Sequence, residues 1–245
     1  MVAELCVLSN VTVAFGGLKA IDDVSLTLHD DSGIAGMIGP NGAGKSTCLK
    51  VIAGALKPTS GNVEVLGHRL RGKPNTAKVA REGVARTFQI PRPFARMSVR
   101  ENVLVARLAT LRRGRGDPQA EVDELLERMD LSDVADKLAG SLPLAARKKL
   151  EVARAMAIEP KLLLLDEVFE GLSDTEIQEL VGILRDLHES GIKLLLVEHV
   201  LRALRQLATY LVVLDKGCLI AEGEVEEVLC SDCVKEAYLG FGGAT

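Results

Sequence analysis

The chain has 245 residues, of which 47% are hydrophobic and 3% are aromatic, so it can bury a sizeable aliphatic core in one large or two smaller domains. Lys and Arg total 30 against 34 Asp and Glu, and this mildly acidic balance of −4 argues against general nucleic-acid binding. The five cysteines are odd in number and scattered in spacing, which argues against a disulfide framework and favours free thiols in a reducing compartment.

The sequence predicts no segment that crosses a membrane. Residues 1–8 lack the basic start of a secretory signal and include Glu4. No apolar run in the sequence approaches about 18 residues, the length that an apolar helix needs to span a bilayer. We therefore expect a cytoplasmic chain that reaches a membrane only through a partner.

The N-terminal part of the chain alternates predicted strands with glycine-rich turns. Strands are predicted at residues 5–14, 24–28, 34–38, 62–66 and 83–88. A helix is predicted at residues 48–55, turns at 15–17 and 57–61, and a polar basic loop at 69–75. This order of short strands predicts a β-rich core segment.

The pattern changes from strand to helix after Pro91-Arg92-Pro93. Residues 98–140 have a helical period that opens on a capping box, Ser98-x-x-Glu101. A basic loop at residues 112–118 interrupts this period. The segment is therefore predicted to form more than one helix.

A further helix is predicted at residues 141–157, with Ser141 as its N-cap. The segments before and after this helical region are rich in predicted strands. The sequence therefore predicts a single domain, in which a helical subdomain at residues 91–158 is inserted into a core formed by residues 1–90 and 159–245.

The C-terminal part returns to alternating strands and helices. Its apolar runs at residues 161–165 and 193–197 are typical of central strands in a parallel sheet. Helices are predicted at 175–190, 200–207 and 223–239, a hairpin at 210–214 and 218–221, and a loose tail at 240–245. Strands that alternate with helices predict an α/β fold, with its ligand at the carboxyl edge of the sheet.

The residues from Gly39 to Thr47 fit the phosphate-binding pattern G-x-x-x-x-G-K-[ST], between a predicted strand and a predicted helix. Glycines let successive backbone N–H groups face one anion, and the helix N-terminus adds partial positive charge. Lys45 is placed to reach the β- and γ-phosphates, and Ser46 to ligate Mg²⁺. The predicted nucleotide-binding residues are Gly39, Pro40, Asn41, Gly42, Ala43, Gly44, Lys45, Ser46 and Thr47.

Two carboxylates follow the run of leucines at residues 162–165. Because parallel strands end at one edge of a sheet, we expect Asp166 and Glu167 to lie near the phosphate-binding loop. We predict that Asp166 holds Mg²⁺ and that Glu167 polarises the attacking water. The alternative is that both residues only end a strand.

Two further polar residues follow predicted strands. His199 comes after the strand at residues 193–197 and Glu198, where an imidazole would hold the γ-phosphate and position the nucleophile. A purely structural histidine is the alternative. Gln89 lies between the predicted core and the helical insert, and we predict that it reports the γ-phosphate to that insert.

Phe15 precedes the turn at Gly16-Gly17 in a chain that has few aromatic residues. An aromatic ring at this position is available to stack on adenine. A core position for the ring is the alternative.

Together these residues resemble the ATP-binding subunit of an ABC transporter, over nearly the whole chain. The matching positions are Phe15 for the adenine-stacking aromatic, Gly39–Thr47 for Walker A, Gln89 for the Q-loop glutamine, Leu162–Asp166 for Walker B, Glu167 for the catalytic base and His199 for the switch histidine. Softer similarities to the short subunits of branched-chain amino-acid importers lie at residues 91–94, 197–199, 214–217 and 236–240.

The resemblance implies a RecA-like P-loop NTPase core with an antiparallel β portion and an inserted α-helical subdomain. It also implies a Mg²⁺-dependent ATPase that binds ATP. The implied catalytic residues are Glu167, His199, Lys45 and Gln89, and the implied metal ligands are Ser46, Gln89 and Asp166. Such a subunit lies on the cytoplasmic face of the inner membrane and powers permease subunits, which receive cargo from a substrate-binding protein.

The sequence departs from the family in its signature segment, which is usually Leu-Ser-Gly-Gly-Gln and is here Leu142-Pro143-Leu144-Ala145-Ala146. The serine hydroxyl is absent, Pro143 removes a backbone N–H, and Ala145 adds a Cβ where backbone would approach phosphate. In this family the signature acts on ATP held by the other subunit of a dimer. This departure suggests a heterodimer with a related subunit that has a full signature, since in a homodimer both sites would be impaired. The D-loop stretch, Glu170-Gly171-Leu172-Ser173, also departs, since it ends in Ser173 where the family often has Asp.

Alternatives remain within and beyond this function. The cargo is predicted to be branched-chain or related amino acids, with urea, amides or another small polar solute as the alternative. A non-transport ABC ATPase and a low-turnover regulatory subunit are less favoured. The region after Gln89 is expected to meet the permease subunits, where Arg92, Arg96 and Arg100 either contribute or form a solvated basic face.

Overall fold

The computed structural model describes residues 4–110 and 117–239. Its strands, in chain order, are β1 (Glu4–Phe15), β2 (Leu18–His29), β3 (Ala35–Ile38), β4 (Ser60–Val65), β5 (His68–Arg69), β6 (Val84–Arg86), β7 (Leu162–Asp166), β8 (Lys193–Val197), β9 (Tyr210–Asp215) and β10 (Cys218–Glu224). Its α-helices are α1 (Lys45–Ile52), α2 (Thr76–Arg81), α3 (Val99–Thr110), α4 (Pro118–Arg128), α5 (Leu144–Met156), α6 (Asp174–Glu189), α7 (Leu201–Leu207), α8 (Val225–Cys230) and α9 (Asp232–Leu239).

A four-stranded antiparallel sheet has the strand order β2-β1-β4-β5. In β2 the side chains of Val24, Leu26 and Leu28 are buried, whereas Ser25 and Thr27 are not. This alternation confirms the predicted half-exposed strand. The buried face packs against α1, so this sheet covers the helix that follows the phosphate-binding loop.

A six-stranded sheet has the order β10-β9-β3-β8-β7-β6. The pairs from β9 to β6 are parallel, and only the hairpin of β9 with β10 is antiparallel within this sheet. All residues of β7 are buried, as its apolar run predicts for a strand covered on both faces. Since β3, β6, β7 and β8 run in the same direction, their carboxyl ends meet at one edge of the sheet. The predicted α/β class is confirmed.

Helices cover both faces of this parallel sheet. One hydrophobic cluster joins α3, α4, α5 and α6 to the side chains of Leu163 and Leu165 in β7. A second cluster joins α1 and the antiparallel sheet to Leu162 and Leu164 on the other face. Because the helical segment and the core share packed side chains, the predicted subdomain boundaries at residues 91 and 158 stay a prediction.

Two helix starts differ in how well local chemistry predicts them. The capping box at α3 is confirmed, since Ser98 N donates to Glu101 Oε2 (2.7 Å) and Glu101 N donates to Ser98 Oγ (3.1 Å). The predicted N-cap at Ser141 is wrong. Helix α5 begins only after Pro143, and the Ser141 hydroxyl donates to Leu138 O instead (2.7 Å).

Other boundaries also differ from the sequence-based expectation. Helix α1 begins at Lys45 because Gly44, with φ of 103°, provides its left-handed N-cap. Helix α2 falls where the sequence predicts no helix, and the predicted terminal helix is divided into α8 and α9 after a longer β10. Most of the predicted basic loop at 112–118 and all of the predicted tail at 240–245 lie outside the described residues. None of the helices within residues 4–110 and 117–239 combines the length and apolar character needed to cross a bilayer.

Candidate functional site

The loop from Gly39 to Gly44 leads from β3 into α1 at the carboxyl edge of the parallel sheet. A Cβ at Gly39 would lie 2.1 Å from Leu214 O, and a Cβ at Gly44 would lie 2.4 Å from Ala20 O. Both glycines also have positive φ, at 152° and 103°. These two positions therefore require glycine, because backbone from β9 and β2 closes around the loop.

Lys45 begins α1 and is buried. Its Nζ donates to Gly39 O (2.7 Å) and Pro40 O (3.0 Å), so the side chain folds back across its own loop. Burial lowers the pKa of Lys45, while the charges of Glu167 and Asp166 oppose that shift. The ammonium group therefore lies at the loop within the field of both carboxylates.

Asp166 ends β7 with only 3% of its surface exposed. Its Oδ2 accepts a hydrogen bond from Arg86 Nη2 (2.7 Å), at the end of the neighbouring strand β6. Its Oδ1 is buried and has no hydrogen-bond partner among the described residues. An unpartnered carboxylate oxygen beside a phosphate-binding loop fits Mg²⁺, which prefers hard oxygen ligands.

Glu167 and Gln89 lie in direct contact. Gln89 Nε2 donates to Glu167 Oε2 (2.6 Å) and more weakly to Glu170 Oε2 (3.3 Å). The backbone of Glu167 has a positive φ of 50°, and its N–H donates to Val197 O at the end of β8 (2.9 Å). The structure thus brings together two predicted site residues that are far apart in sequence.

His199 and Phe15 are both exposed. His199 follows β8, the strand between β3 and β7, so it lies at the same sheet edge as the loop and Asp166. Phe15, with 54% of its surface exposed, ends β1 directly before the turn to β2. Within residues 4–110 and 117–239, the His199 ring forms no hydrogen bond. The Phe15 ring packs in none of the core clusters there, so the core alternative for Phe15 is wrong.

A family model described as ABC transporter matches residues 21–170, which is more than half of the chain. The chain belongs to the ABC transporter family. The signature segment and the D-loop named from the sequence can therefore be described in the terms of that family.

Similar proteins span almost the full chain. It is 35% identical to the high-affinity branched-chain amino acid transport ATP-binding protein BraF of Pseudomonas aeruginosa, covering 95% of this chain and 96% of that protein. It is 34% identical to LivG of Escherichia coli K12, which has the same description, with coverage of 98% and 99%. The lipopolysaccharide export system ATP-binding protein LptB of Escherichia coli K12 is 32% identical, with coverage of 94% and 95%. The predicted likeness to branched-chain amino-acid transport subunits is confirmed.

Solved structures agree with this family assignment. A nucleotide-free ATP-binding cassette of an ABC transporter superimposes with a TM-score of 0.87 at 29% identity, covering 97% of this chain and 100% of that chain. The ADP conformation of a second cassette gives a TM-score of 0.86 at 30% identity, with coverage of 97% and 99%. These likenesses confirm the predicted RecA-like P-loop NTPase fold.

The altered signature segment leads directly into α5. Pro143 is the N-cap of this helix, and no side chain caps it. A Cβ at Gly171 of the D-loop would lie 2.9 Å from Leu144 Cδ2, so the D-loop packs closely on the start of α5. The end of the D-loop has its own cap, because Ser173 and Glu176 form a capping box at α6.

Sequence reasoning missed three charged residues at the site, namely Arg86, Lys148 and Glu198. Arg86 resembles an ordinary residue of a short strand, and its pairing with Asp166 joins positions far apart in sequence. Lys148 stands in the basic run Arg147-Lys148-Lys149, which is typical of a solvated face. The helical period did indicate that Lys148 faces the protein interior, since Lys148 shares a face of α5 with Leu144 and Val152.

Lys148 and Glu198 are both buried, and the charge of the predicted base Glu167 acts on each of them. Glu198 Oε1 accepts a hydrogen bond from Phe169 N (3.1 Å), whereas its Oε2 has no partner among the described residues. Burial raises the pKa of Glu198 to about 7. Burial lowers the pKa of Lys148, and the charge of Glu198 is the strongest opposing influence.

Proposed function

We propose that this chain is the ATP-hydrolysing subunit of an ABC importer for branched-chain or related amino acids. The observation that carries the proposal is the meeting of three features at one sheet edge. These features are the glycine-rich loop with Lys45, the unpartnered Oδ1 of Asp166, and the hydrogen-bonded pair of Gln89 with Glu167. Together they supply a phosphate site, a cation ligand and a base.

The binding step uses groups of the phosphate-binding loop. Backbone N–H groups of Gly39–Thr47 and the ammonium of Lys45 bind the phosphates of ATP, and Phe15 stacks on adenine. To do so, Lys45 exchanges its contacts with Gly39 O and Pro40 O for phosphate oxygens. The residues that would hold Mg²⁺ are Ser46, Gln89 and Asp166. When bound, Mg²⁺ supplies positive charge that neutralises phosphate oxygens.

The hydrolytic step uses Glu167, Gln89 and His199. Glu167 accepts a proton from the water that attacks the γ-phosphorus, while Lys45 and His199 stabilise the developing negative charge. The carboxylate of Glu167 is hydrogen-bonded to Gln89 in the structure. Gln89 must therefore release this carboxylate before it can act as the base, which links the state of the Q-loop to hydrolysis.

The segment after Gln89 is the proposed contact with the permease subunits. The apolar side chains of Ile90 and Phe94 in this segment are exposed, and so is that of Phe88 directly before Gln89. The backbone behind them is fixed, since Arg92 N donates to Glu151 Oε1 (2.7 Å) and Phe94 N donates to Asn102 Oδ1 (2.7 Å). A fixed backbone with outward apolar side chains supports docking of another protein. Through this contact the chain would lie on the cytoplasmic face of the inner membrane.

The three arginines considered for this contact have different surroundings. Arg92 and Arg96 have exposed side chains, and no ion pair is formed by either within the described ranges of the chain. Arg100 instead forms ion pairs with Asp123 and Asp136. Arg100 therefore joins α3 to α4 and its following turn, and we retain only Arg92 and Arg96 as candidates.

The cargo is inferred from relatives, because this type of subunit does not contact it. BraF and LivG are described as branched-chain amino acid transport proteins, and they are slightly more identical to this chain than LptB. Import therefore ranks above export, and urea, amides or another small polar solute remain the alternative cargo. A substrate-binding protein would deliver that cargo to the permease, and no nucleic-acid partner is proposed. Co-purification with a permease and its binding protein, followed by uptake assays, tests this ranking.

Glu167→Gln tests the hydrolytic role. The variant should bind ATP with wild-type affinity but lose at least about 100-fold in turnover, because it keeps the shape and loses the base. ATP binding is measured with a fluorescent analogue, and turnover by phosphate release in the presence of the partner subunit. Glu189→Gln, which removes an exposed carboxylate at the end of α6, is the control. Retained turnover in Glu167→Gln would remove Glu167 from the base role, and loss of ATP binding would contradict its separation from the binding step.

A further inference from the structure

Lys148 lies on the buried face of α5, one turn after Leu144 and one turn before Val152. Only 3% of its surface is exposed. Burying an ammonium group among apolar side chains is costly unless hydrogen bonds and nearby charges compensate. The position of Lys148 therefore depends on what its Nζ contacts.

Its contacts are the backbone carbonyls of two predicted catalytic residues. Lys148 Nζ donates to Glu167 O (2.7 Å) and to Gln89 O (3.1 Å). Both bonds are charge-assisted, and they do not use the side chains that are predicted to do chemistry. One ammonium group thus ties the Q-loop to the end of Walker B.

The surrounding charges favour a charged Lys148 at this point. The carboxylates of Glu198, Glu170, Glu167 and Asp166 all attract its ammonium group. Among described residues, Lys148 itself forms no ion pair within 4 Å, so these carboxylates act over longer distances. Lys148 therefore contributes positive charge to an acidic site without occupying the oxygen of Asp166 that is left unpartnered.

We propose that Lys148 is a positioning residue that holds Gln89 and Glu167 in register and couples both to α5. The inference rests on the proposed ATPase function of the chain. Because α5 begins at the altered signature segment, any movement of that segment relative to the core acts on Lys148. The same ammonium group then shifts the backbone of the base and of the Q-loop together.

The neighbouring residue provides a matched control. Lys149 is also a buried lysine of α5, but its Nζ pairs with Asp130 (2.9 Å) and Glu179 (3.1 Å), away from the site. Lys148→Met and Lys149→Met remove the same charge and keep a similar volume. A general effect of losing a buried lysine would appear in both variants, and a positioning effect only in the first.

Kinetics separate positioning from binding. In Lys148→Met, kcat for ATP should fall at least about tenfold while KM stays within about twofold, since a misplaced base affects the reacting geometry. Lys148→Arg, which restores a charged donor, should recover most of the lost kcat. Lys149→Met should keep kcat within about twofold of wild type. Unchanged kcat in Lys148→Met, or an equal loss in Lys149→Met, would overturn the proposal.

Hydrogen exchange tests the same proposal without turnover. Amides of residues 86–94 and 166–170 should exchange faster in Lys148→Met than in wild type and Lys149→Met, because two backbone segments lose their shared anchor. Equal exchange in both variants would overturn the role of Lys148 whatever the kinetics. If wild type with its partner does not hydrolyse ATP, the proposed function fails, and exchange alone decides the role of Lys148. Should Lys148→Met fail to fold, Lys148→Gln, which keeps one donor group, replaces it in both the kinetic and the hydrogen-exchange comparison.

Discussion

Glu198 places a carboxylate in the core directly before the predicted switch histidine. It accepts a hydrogen bond from Phe169 N, directly before the D-loop, and its second oxygen has no partner among the described residues. The charges that face it are Lys148 from α5, which favours its ionised form, and Glu167, which opposes it. Burial outweighs the favourable contacts, and the pKa of Glu198 rises to about 7.

This raised pKa predicts a pH-dependent stability. The folded pKa of about 7 exceeds the ordinary value of 4.5, so folding favours the protonated form of Glu198. The contribution of Glu198 to the free energy of unfolding is full below pH 4.5 and is lost as the pH rises through 7. Glu198→Gln is always neutral, so its advantage in unfolding free energy over wild type should grow by up to about 3 kcal/mol between pH 5 and pH 8.

Urea unfolding at pH 5 and pH 8 measures this difference. Glu189→Gln, which removes an exposed carboxylate outside the core, is the control variant for the loss of one carboxylate. In Glu198→Gln, the ammonium group of Lys148 still has the carboxylates of Glu170, Glu167 and Asp166 around it, so the substitution does not leave that lysine uncompensated. If the difference in unfolding free energy between Glu198→Gln and wild type were the same at both pH values, the raised pKa of Glu198 would be contradicted.

The helix starts on either side of Walker B are stabilised by different means. At α6, Ser173 Oγ accepts from Glu176 N, and Glu176 Oε2 accepts from Ser173 N (2.7 Å). At α5, Pro143 is the N-cap and has no side-chain acceptor. The D-loop end is therefore fixed by local hydrogen bonds, whereas the start of α5 relies on packing against Gly171 and on the anchor at Lys148.

Serine substitutions should expose this contrast. Ser173→Ala removes an N-cap and should lower the free energy of unfolding by about 1 kcal/mol, whereas Ser173→Asp should retain the cap. Ser141→Ala, at the position wrongly predicted to cap α5, should cost less than about 0.5 kcal/mol. Chemical denaturation of the three variants checks the order. Equal losses at Ser141 and Ser173 would contradict the observed caps.

Local signals explain which elements are predictable. The strands β7 and β8 follow from uninterrupted apolar runs, and the loop before α1 from its glycine and lysine spacing. The start of α5 is missed because Ser141, three residues before Leu144, resembles an N-cap. Pro143, which lies between them, is the N-cap residue at which the helix starts. Short helix α2 has too few residues for a clear period.

At the site, too, only features with a local sequence signal are predictable. Its loop, Asp166 and Glu167 are predictable because each follows a strand with a recognisable motif. The hydrogen bonds of Arg86 with Asp166 and of Lys148 with Glu167 are not, because they join residues separated by many positions in the chain. A single sequence predicts which residues carry chemistry, and the fold determines which charged neighbours contact them.

In the proposed dimer, the whole molecule would contribute two half-sites of unequal quality. Its phosphate-binding loop, Asp166, Glu167 and His199 stand at one sheet edge, and they include every residue type that the proposed mechanism asks of this half. The segment that would face a partner's ATP in the proposed dimer lacks the signature serine and has Pro143 at the helix start. A proline contributes no N–H to an anion, although the dipole of α5 remains. In a homodimer, both composite sites would contain this weaker half.

Partner dependence is therefore the expected behaviour of the purified chain. Alone it should hydrolyse ATP slowly, and a co-purifying ABC subunit with a complete Leu-Ser-Gly-Gly-Gln segment should raise turnover at least about tenfold, since phosphate-facing donors are restored. Combining Pro143→Ser with Ala145→Gly should raise the activity of the isolated chain. Phosphate release by the chain alone, with its partner, and in the double variant measures both effects, with Glu167→Gln as the baseline. Fast hydrolysis by the isolated chain that does not respond to the double substitution would show that this segment is not limiting, and a heterodimer would then lose its support.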